Sequence, residues 1–216
     1  MAGIRESIRS RIPFSTEIYE RMFMRRGMAP TQGRVKALIA SGNPIKLDIG
    51  GADAGSNGWT TLDITRECDL FWDLRRGIPF PDSTVDAVYS SHFFEHLSYA
   101  EGQEILREGL RVLKPGGTFS VCVPNARMYI EAYLGIREVP DSYFAWKPAM
   151  NQTTAIDAIN YVAYMGGEHK YMFDIDNLLH LLAQAGFVDV QERDFEPGLD
   201  REERDFESIY AIGVKP

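Results

Sequence analysis

The sequence predicts an α/β protein built on a doubly wound, mostly parallel, seven-stranded sheet of Rossmann-like type. Three observations carry this. Short apolar, β-branched segments alternate with amphipathic helical segments from residue 45 onward. Glycine or an acid follows directly after several of the strand segments, where open α/β sheets bind their ligands. A length of 216 residues, with 44% hydrophobic and 25% charged residues, suits one globular domain of that kind.

Residues 1–30 are basic and moderately amphipathic, with Ile4, Ile8 and Ile12 at helical spacing and Pro13 and Pro30 as breaks. Residues 31–42 read as a helix that Thr31 caps and Gly42 ends. Strands follow at 45–49, at 59–64, within 68–74 and at 85–90. Ser98 and Glu101 have capping-box spacing and open a helix to Leu113, with the stripe Leu106, Leu110, Leu113. Lys114-Pro-Gly-Gly117 stops it, and 119–123 is the fifth strand. Residues 124–173 break the rhythm. Asp174 then caps a helix with Ile175, Leu178, Leu179 and Leu182 on one face, closed by Gly186. The last two strands, 187–193 and 208–215, are joined by an acidic loop. The expected division is a basic helical segment over 1–44 and a main domain over 45–216, with an aromatic-rich insertion at 124–173 after strand five.

No run of 18 apolar residues occurs, so no transmembrane helix is expected. The N-terminus lacks a signal-peptide pattern. Cys68 and Cys122 are too few for a disulfide scaffold, and a reducing, cytoplasmic setting fits. The net charge of −8 is uneven: residues 1–36 hold eight basic and three acidic side chains, leaving −13 on the rest. An acidic body is a poor general binder of nucleic acid. The basic arm reads as a solvated helix packed on that body, or as a contact for an anionic membrane or a partner.

The rule that ligands sit at the carboxyl ends of strands selects the candidate site residues. The first strand runs into Asp48-Ile-Gly-Gly-Ala-Asp53, where Gly50 and Gly51 allow close backbone approach. The full dinucleotide pattern of three glycines is not met, because Ala52 and Gly55 fill the later places loosely. The second strand ends at Asp63, suited to accept both hydroxyls of a ribose in NAD or another nucleoside cofactor. The third ends at Asp73-Leu74, suited to an adenine amino group and ring. His92, Glu95 and His96 follow strand four. His92 and His96 have i, i+4 spacing, but Glu95 on a helix would point elsewhere, so no metal site is expected. His180 reads as a surface residue, while His169, just ahead of the Asp174 helix, is expected to look into the crevice. The aromatic residues of 124–173, among them Tyr129, Phe144, Trp146 and Tyr161, read as a substrate wall or as a satellite core.

The runs Leu47-Asp-Ile-Gly-Gly51, Trp59-Thr-Thr-Leu-Asp-Ile64, Asp73-Leu74, Ile78-Pro-Phe-Pro-Asp-Ser-Thr-Val-Asp-Ala-Val88, Ser91-His-Phe-Phe-Glu-His-Leu97 and Arg111-Val-Leu-Lys-Pro-Gly-Gly117 together resemble the class I S-adenosylmethionine-dependent methyltransferases, and within them the type-11 methyltransferase-like subgroup. The resemblance is strong over residues 45–123 and extends to about 190. It implies that Gly50 and Gly51 lie against the methionine part of the cofactor, that Asp63 binds ribose, that Asp73 and Leu74 contact adenine, and that Ser91 and His92 face the cofactor; Asp48 and Ile64 complete the expected set. Two departures affect the loop after strand one: Ala52 replaces the usual second glycine, and the span from Gly50 to Asp63 is short for a helix. The implied activity is methyl transfer from S-adenosyl-L-methionine, giving S-adenosyl-L-homocysteine, to a small or medium polar acceptor such as a sugar, nucleotide-sugar or natural product. A non-catalytic cofactor-binding partner subunit is the alternative; an NAD-dependent oxidoreductase fits the glycine loop less well. A hydroxyl acceptor must lose a proton, and His169 is the expected base, with His92 positioning cofactor or substrate from the opposite side of the strand-four/strand-five crevice.

Overall fold

The computed structural model describes residues 28–51, 55, 58–65, 67–144, 149 and 153–216. The basic arm ahead of residue 28 lies outside them, as does Trp146. Seven strands form one sheet: β1 (Lys46–Ile49), β2 (Trp59–Asp63), β3 (Leu70–Phe71), β4 (Val85–Ser91), β5 (Leu113–Pro124), β6 (Val188–Glu192) and β7 (Ser208–Val214), in the order β3-β2-β1-β4-β5-β7-β6. The first five are parallel and β7 runs antiparallel to both of its neighbours. The order reverses between β1 and β4, so the ligand crevice belongs at their carboxyl ends. Leu47, Ile49, Leu62, Val85, Val88, Phe119 and Val121 are wholly shielded from water and form the centre of the core.

A helix, α1, covers 28–41. Thr31 is therefore inside it and does not cap it. Its buried hydroxyl instead donates to the Phe71 carbonyl at 2.8 Å, tying α1 to the edge strand β3, while Val35 joins the core. Ser98 does cap α2 (Tyr99–Val112), with both halves of the capping box formed. Asp174 caps α5 (Ile175–Ala185), which Gly186 ends in a left-handed conformation. These two helices pack against each other. Between β1 and β2 the structure describes only residues 50, 51, 55 and 58, none of them helical, and the rest of the loop on which the expected missing helix falls lies outside the described residues.

The Lys-Pro-Gly-Gly run does not end a helix before a separate strand. β5 begins at Leu113, directly after α2, and 114–117 bulge out of its pairing with β4. The motif is structural. The Arg111 guanidinium donates to the Ile78 and Phe80 carbonyls, each at 2.9 Å, and pairs with Glu108 and Asp82. Lys114 meets Asp86 at 2.7 Å, and Asp86 also accepts from the Ile45 amide. One motif thus holds the other, which explains why they occur together.

Between β5 and α5 lie α3 (Ala126–Tyr133) and α4 (Asp157–Tyr164). Tyr129, Phe144 and Tyr161 form a satellite core with ring centroids 5.2–5.7 Å apart. Tyr143 stacks on Phe206, and the Tyr129 hydroxyl donates to Glu207 at 2.5 Å. The 193–207 loop is thereby joined to this segment. The same loop is fixed to the sheet by a buried Arg193–Asp200 pair, whose carboxylate also accepts from the Tyr89 hydroxyl at 2.9 Å. Phe173 belongs to the main core instead, and Tyr133 and Tyr164 are exposed. Among the described residues no helix is long and apolar enough to cross a membrane.

Candidate active site

A cleft of about 460 Å³ opens at the carboxyl ends of β2 and β3, lined among others by Asp63, Ile64, Asp73, Leu74, Phe93 and His96. Four of the expected cofactor residues are in this wall. Asp63 is the last residue of β2, and its carboxylate accepts from the Thr65 amide at 2.7 Å, which sets its orientation before any ligand arrives. Asp73 caps a short 3₁₀ turn, Leu74–Arg76. The Arg75 guanidinium engages both of its oxygens, at 2.8 and 3.0 Å. That arginine side chain is 64% exposed, so the pair is weakly held.

The other four, Asp48, Gly50, Gly51 and Ser91, lie at the adjoining ends of β1 and β4. Gly50 has φ +79° and its amide donates to the Leu62 carbonyl. A side chain there would collide with Phe93, the ring that also lines the cleft. A Cβ on Gly51 would fall 2.5 Å from the Asp48 carboxylate. Glycine at both places lets Phe93 and Asp48 close on the backbone. Asp48 Oδ1 is buried with no hydrogen-bond partner among the described residues. Burial pushes this carboxyl up to about 7, against the opposing pull of nearby Arg201.

Beyond β4 the chain turns sharply at His92, which takes a left-handed conformation with φ +48°, and enters the 3₁₀ turn Phe94–His96. Residues 168–171 dock on this turn, with the Lys170 and Tyr171 amides donating to the Glu95 carbonyl at 2.8 and 3.2 Å. The strap brings His169 to the carboxyl edge of the sheet. Its ring is nonetheless buried, packed edge-on against His96 with centroids 5.0 Å apart. His92 is largely shielded too, its side chain 10% exposed. The expectation that His169 and His92 face the crevice from opposite sides is thus corrected. Neither lines the cleft; both belong to one cluster with Glu95 and His96, and His96 is the member that reaches the cleft wall.

Glu95 also differs from its expected direction. In a 3₁₀ turn rather than an α-helix, its carboxylate lies inside the cluster, with Oε1 3.6 Å from His92 Nδ1 and 4.0 Å from His96 Nε2. Burial raises it to about 8. Burial, aided by Arg204, lowers His92 to about 3, and burial also lowers His169. Sequence reasoning missed Glu95 as the hub and His96 as the exposed member, because it assumed helical directions for residues 92–96. It also gave Lys170 no role, although Lys170 lines the cleft.

The family model described as "Methyltransferase domain" matches residues 70–121. Over that stretch the chain is similar to this family. The matched stretch runs from β3 through the Arg111 motif into β5, and so includes the Phe93–His96 turn. The chain is 31% identical over 125 residues to the ubiquinone/menaquinone biosynthesis C-methyltransferase UbiE of Desulfotalea psychrophila, covering 56% of this chain and 47% of that one. It is 27% identical over 129 residues to the demethylmenaquinone methyltransferase of Tropheryma whipplei, covering 55% and 47%. The chain therefore spans about half the length of the curated relatives it matches. Among solved structures, the S-adenosylmethionine-dependent methyltransferase SibL shares the fold of this chain, with TM-score 0.50 and 15% identity over 96% of this chain and 60% of that one.

Proposed function

We propose that the chain is an S-adenosylmethionine-dependent methyltransferase acting on a small or medium polar acceptor of the sugar, nucleotide-sugar or natural-product kind. The observation that supports this best is the shared cleft of Asp63 and Asp73 with apolar Ile64 and Leu74. Two carboxylates fit a ribose diol and an exocyclic amine, while Ile64 and Leu74 fit the faces of a flat base. The methionine end would then lie toward Gly50, Gly51 and Asp48, its ammonium beside the Asp48 carboxylate. The methyl group would point to the wall where His96 stands, so His96 rather than His169 meets the acceptor. The sulfonium already makes the methyl carbon electrophilic, and the protein's task is chiefly to align a nucleophile with it.

The relatives named for ubiquinone and menaquinone biosynthesis support a second acceptor class, a quinol ring carbon. Calorimetry against S-adenosylhomocysteine and NAD tests the cofactor, and tight NAD binding alone would overturn the reading. Labelled methyl transfer to matched panels of sugars, nucleotide-sugars, natural-product phenols and quinols separates the acceptors. Cofactor binding without transfer to any panel would leave the partner-subunit alternative standing.

A further inference from the structure

The cluster behind the cleft wall contains more lone pairs than hydrogens to satisfy them. His96 Nδ1 lies 3.1 Å from the Glu168 carbonyl, and His169 Nδ1 lies 2.8 Å from the Val162 carbonyl. A carbonyl only accepts, so in both neutral rings Nδ1 carries the hydrogen and Nε2 is a bare lone pair. Ser208 donates its one hydroxyl hydrogen to the Arg204 carbonyl at 2.7 Å. His92 Nε2, 2.8 Å from the Ser208 oxygen, is therefore a donor, and His92 Nδ1 presents its lone pair to Glu95. Between these rings sits the Glu95 carboxylate, 3% exposed, with Oε2 making no hydrogen bond among the described residues. Three imidazole lone pairs gather round the buried Glu95, with His96 at the open edge, and such a set of donor atoms suits a cation.

We propose that Glu95, His96 and His169 form a binding site for one divalent transition-metal ion of the zinc type. One ligand atom from each lies within 4.8 Å of the other two. Two imidazoles and a carboxylate are a donor set for zinc and its neighbours, whereas magnesium and calcium take oxygen. The backbone carbonyls of Glu168 and Val162 hold the outer nitrogens of both rings, which fixes the tautomer that a metal ligand needs. Tetrahedral zinc places its ligand atoms roughly 3.3 Å apart, so the three groups draw together by up to about 1.5 Å on binding. His96 is 40% exposed at its side chain and lines the cleft. An ion on it is reachable from the cleft, and an oxygen or nitrogen donor in the cleft would complete its coordination.

The test uses the full chain without a histidine tag, stripped with a chelator, in competition with a zinc-binding dye and in the absence of cofactor. One equivalent of Zn²⁺ is expected to bind. Glu95→Gln, His96→Ala and His169→Ala should each weaken it by at least about tenfold, while exposed His180→Ala leaves it unchanged. Cobalt added to the wild-type chain should give the intense visible bands of a four- or five-coordinate site. That reading does not depend on whether the His169 variant folds. Zinc affinity that Glu95→Gln and His96→Ala leave intact, or the weak cobalt bands of a six-coordinate surface complex, would overturn the proposal. The readouts involve neither cofactor nor methyl transfer, so the site and the enzymatic reading stand or fall separately.

Discussion

Two stretches of the sheet's carboxyl edge differ in how they hold their acids. At β2 and β3, Asp63 and Asp73 stand on an open cleft, each already oriented by a neighbour within two residues. At β1 and β4, Asp48 and Glu95 are shut in, and burial raises both far above ordinary carboxyls. The first stretch presents acceptors to the water of the cleft, within reach of a ligand's hydrogens. The second holds unmet polar atoms that only a proton, a cation or a ligand's charge can satisfy. Position at or near a strand's carboxyl end is common to all four residues; burial separates their chemistry.

The sharpest way to divide the two stretches is at His96, which belongs to the buried cluster and yet touches the cleft. His96→Gln is expected to lower kcat by about 10²–10⁴ through loss of the group that meets the acceptor. The dissociation constant of S-adenosylhomocysteine should not change. Calorimetry and single-turnover transfer on the same variant check both halves. Matched losses in affinity and rate would mean that His96 serves the cofactor and that the two stretches form one site.

Asp63→Ala gives the next largest effect, from the recognition side. Buried ribose hydroxyls lose a charged acceptor, which costs about 1–3 kcal/mol, or roughly 5- to 150-fold in affinity. The chain should fold as before, because Asp63 lies at a strand end on the cleft. An unchanged dissociation constant would show that the nucleoside binds elsewhere.

The placement of the cleft acids at strand ends was readable in the sequence and the buried cluster was not. Asp63 and Asp73 follow directly from strand ends, and period-2 apolar segments mark strands well. Glu95 and His96 required knowing that 94–96 wind as a 3₁₀ turn; on an α-helix the same residues point elsewhere. His169 reached the edge as expected, but its burial depended on the 168–171 strap docking onto Glu95, a contact more than 70 residues apart in sequence. Thr31 looks like a cap, whereas it lies inside α1 and its hydroxyl serves the edge strand. The long β5 was missed because Pro-Gly-Gly reads as a stop when it is a bulge.

Arg111 tests whether the motifs that most resemble a methyltransferase act at the site or only in the scaffold. Its guanidinium ties α2 to the 78–82 loop, away from the cleft residues. Arg111→Ala should cost about 1.5–3 kcal/mol of stability, the value of charged hydrogen bonds that end partly in water. Urea unfolding measures that loss, and cofactor affinity below the transition should be untouched. A stable variant with weakened cofactor binding would place the motif in the functional machinery.

The last effect is graded by pH and concerns Asp48. An ordinary aspartate ionises near 3.8, while burial holds this one protonated up to about 7 in the folded chain. Below the lower value both folded and unfolded chains carry the proton, and burial costs nothing through this group. Between the two values the unfolded chain releases its proton first, so stability falls as pH rises, and above about 7 the penalty is constant. Asp48→Asn should therefore raise the melting temperature at about pH 8 and leave it unchanged near pH 4. Binding has the opposite sign. A ligand ammonium beside Asp48 favours the carboxylate, so below about pH 7 the ligand must expel a proton. Affinity for S-adenosylhomocysteine should weaken by up to about tenfold per pH unit as pH drops below 7, and Asp48→Asn should be weaker throughout and flat with pH. Calorimetry at about pH 6, 7 and 8 in two buffers of different ionisation enthalpy counts the proton directly. The same slope in the Asn variant would assign the proton to another group, and Asp48 would then be buried acid with no part in holding the cofactor.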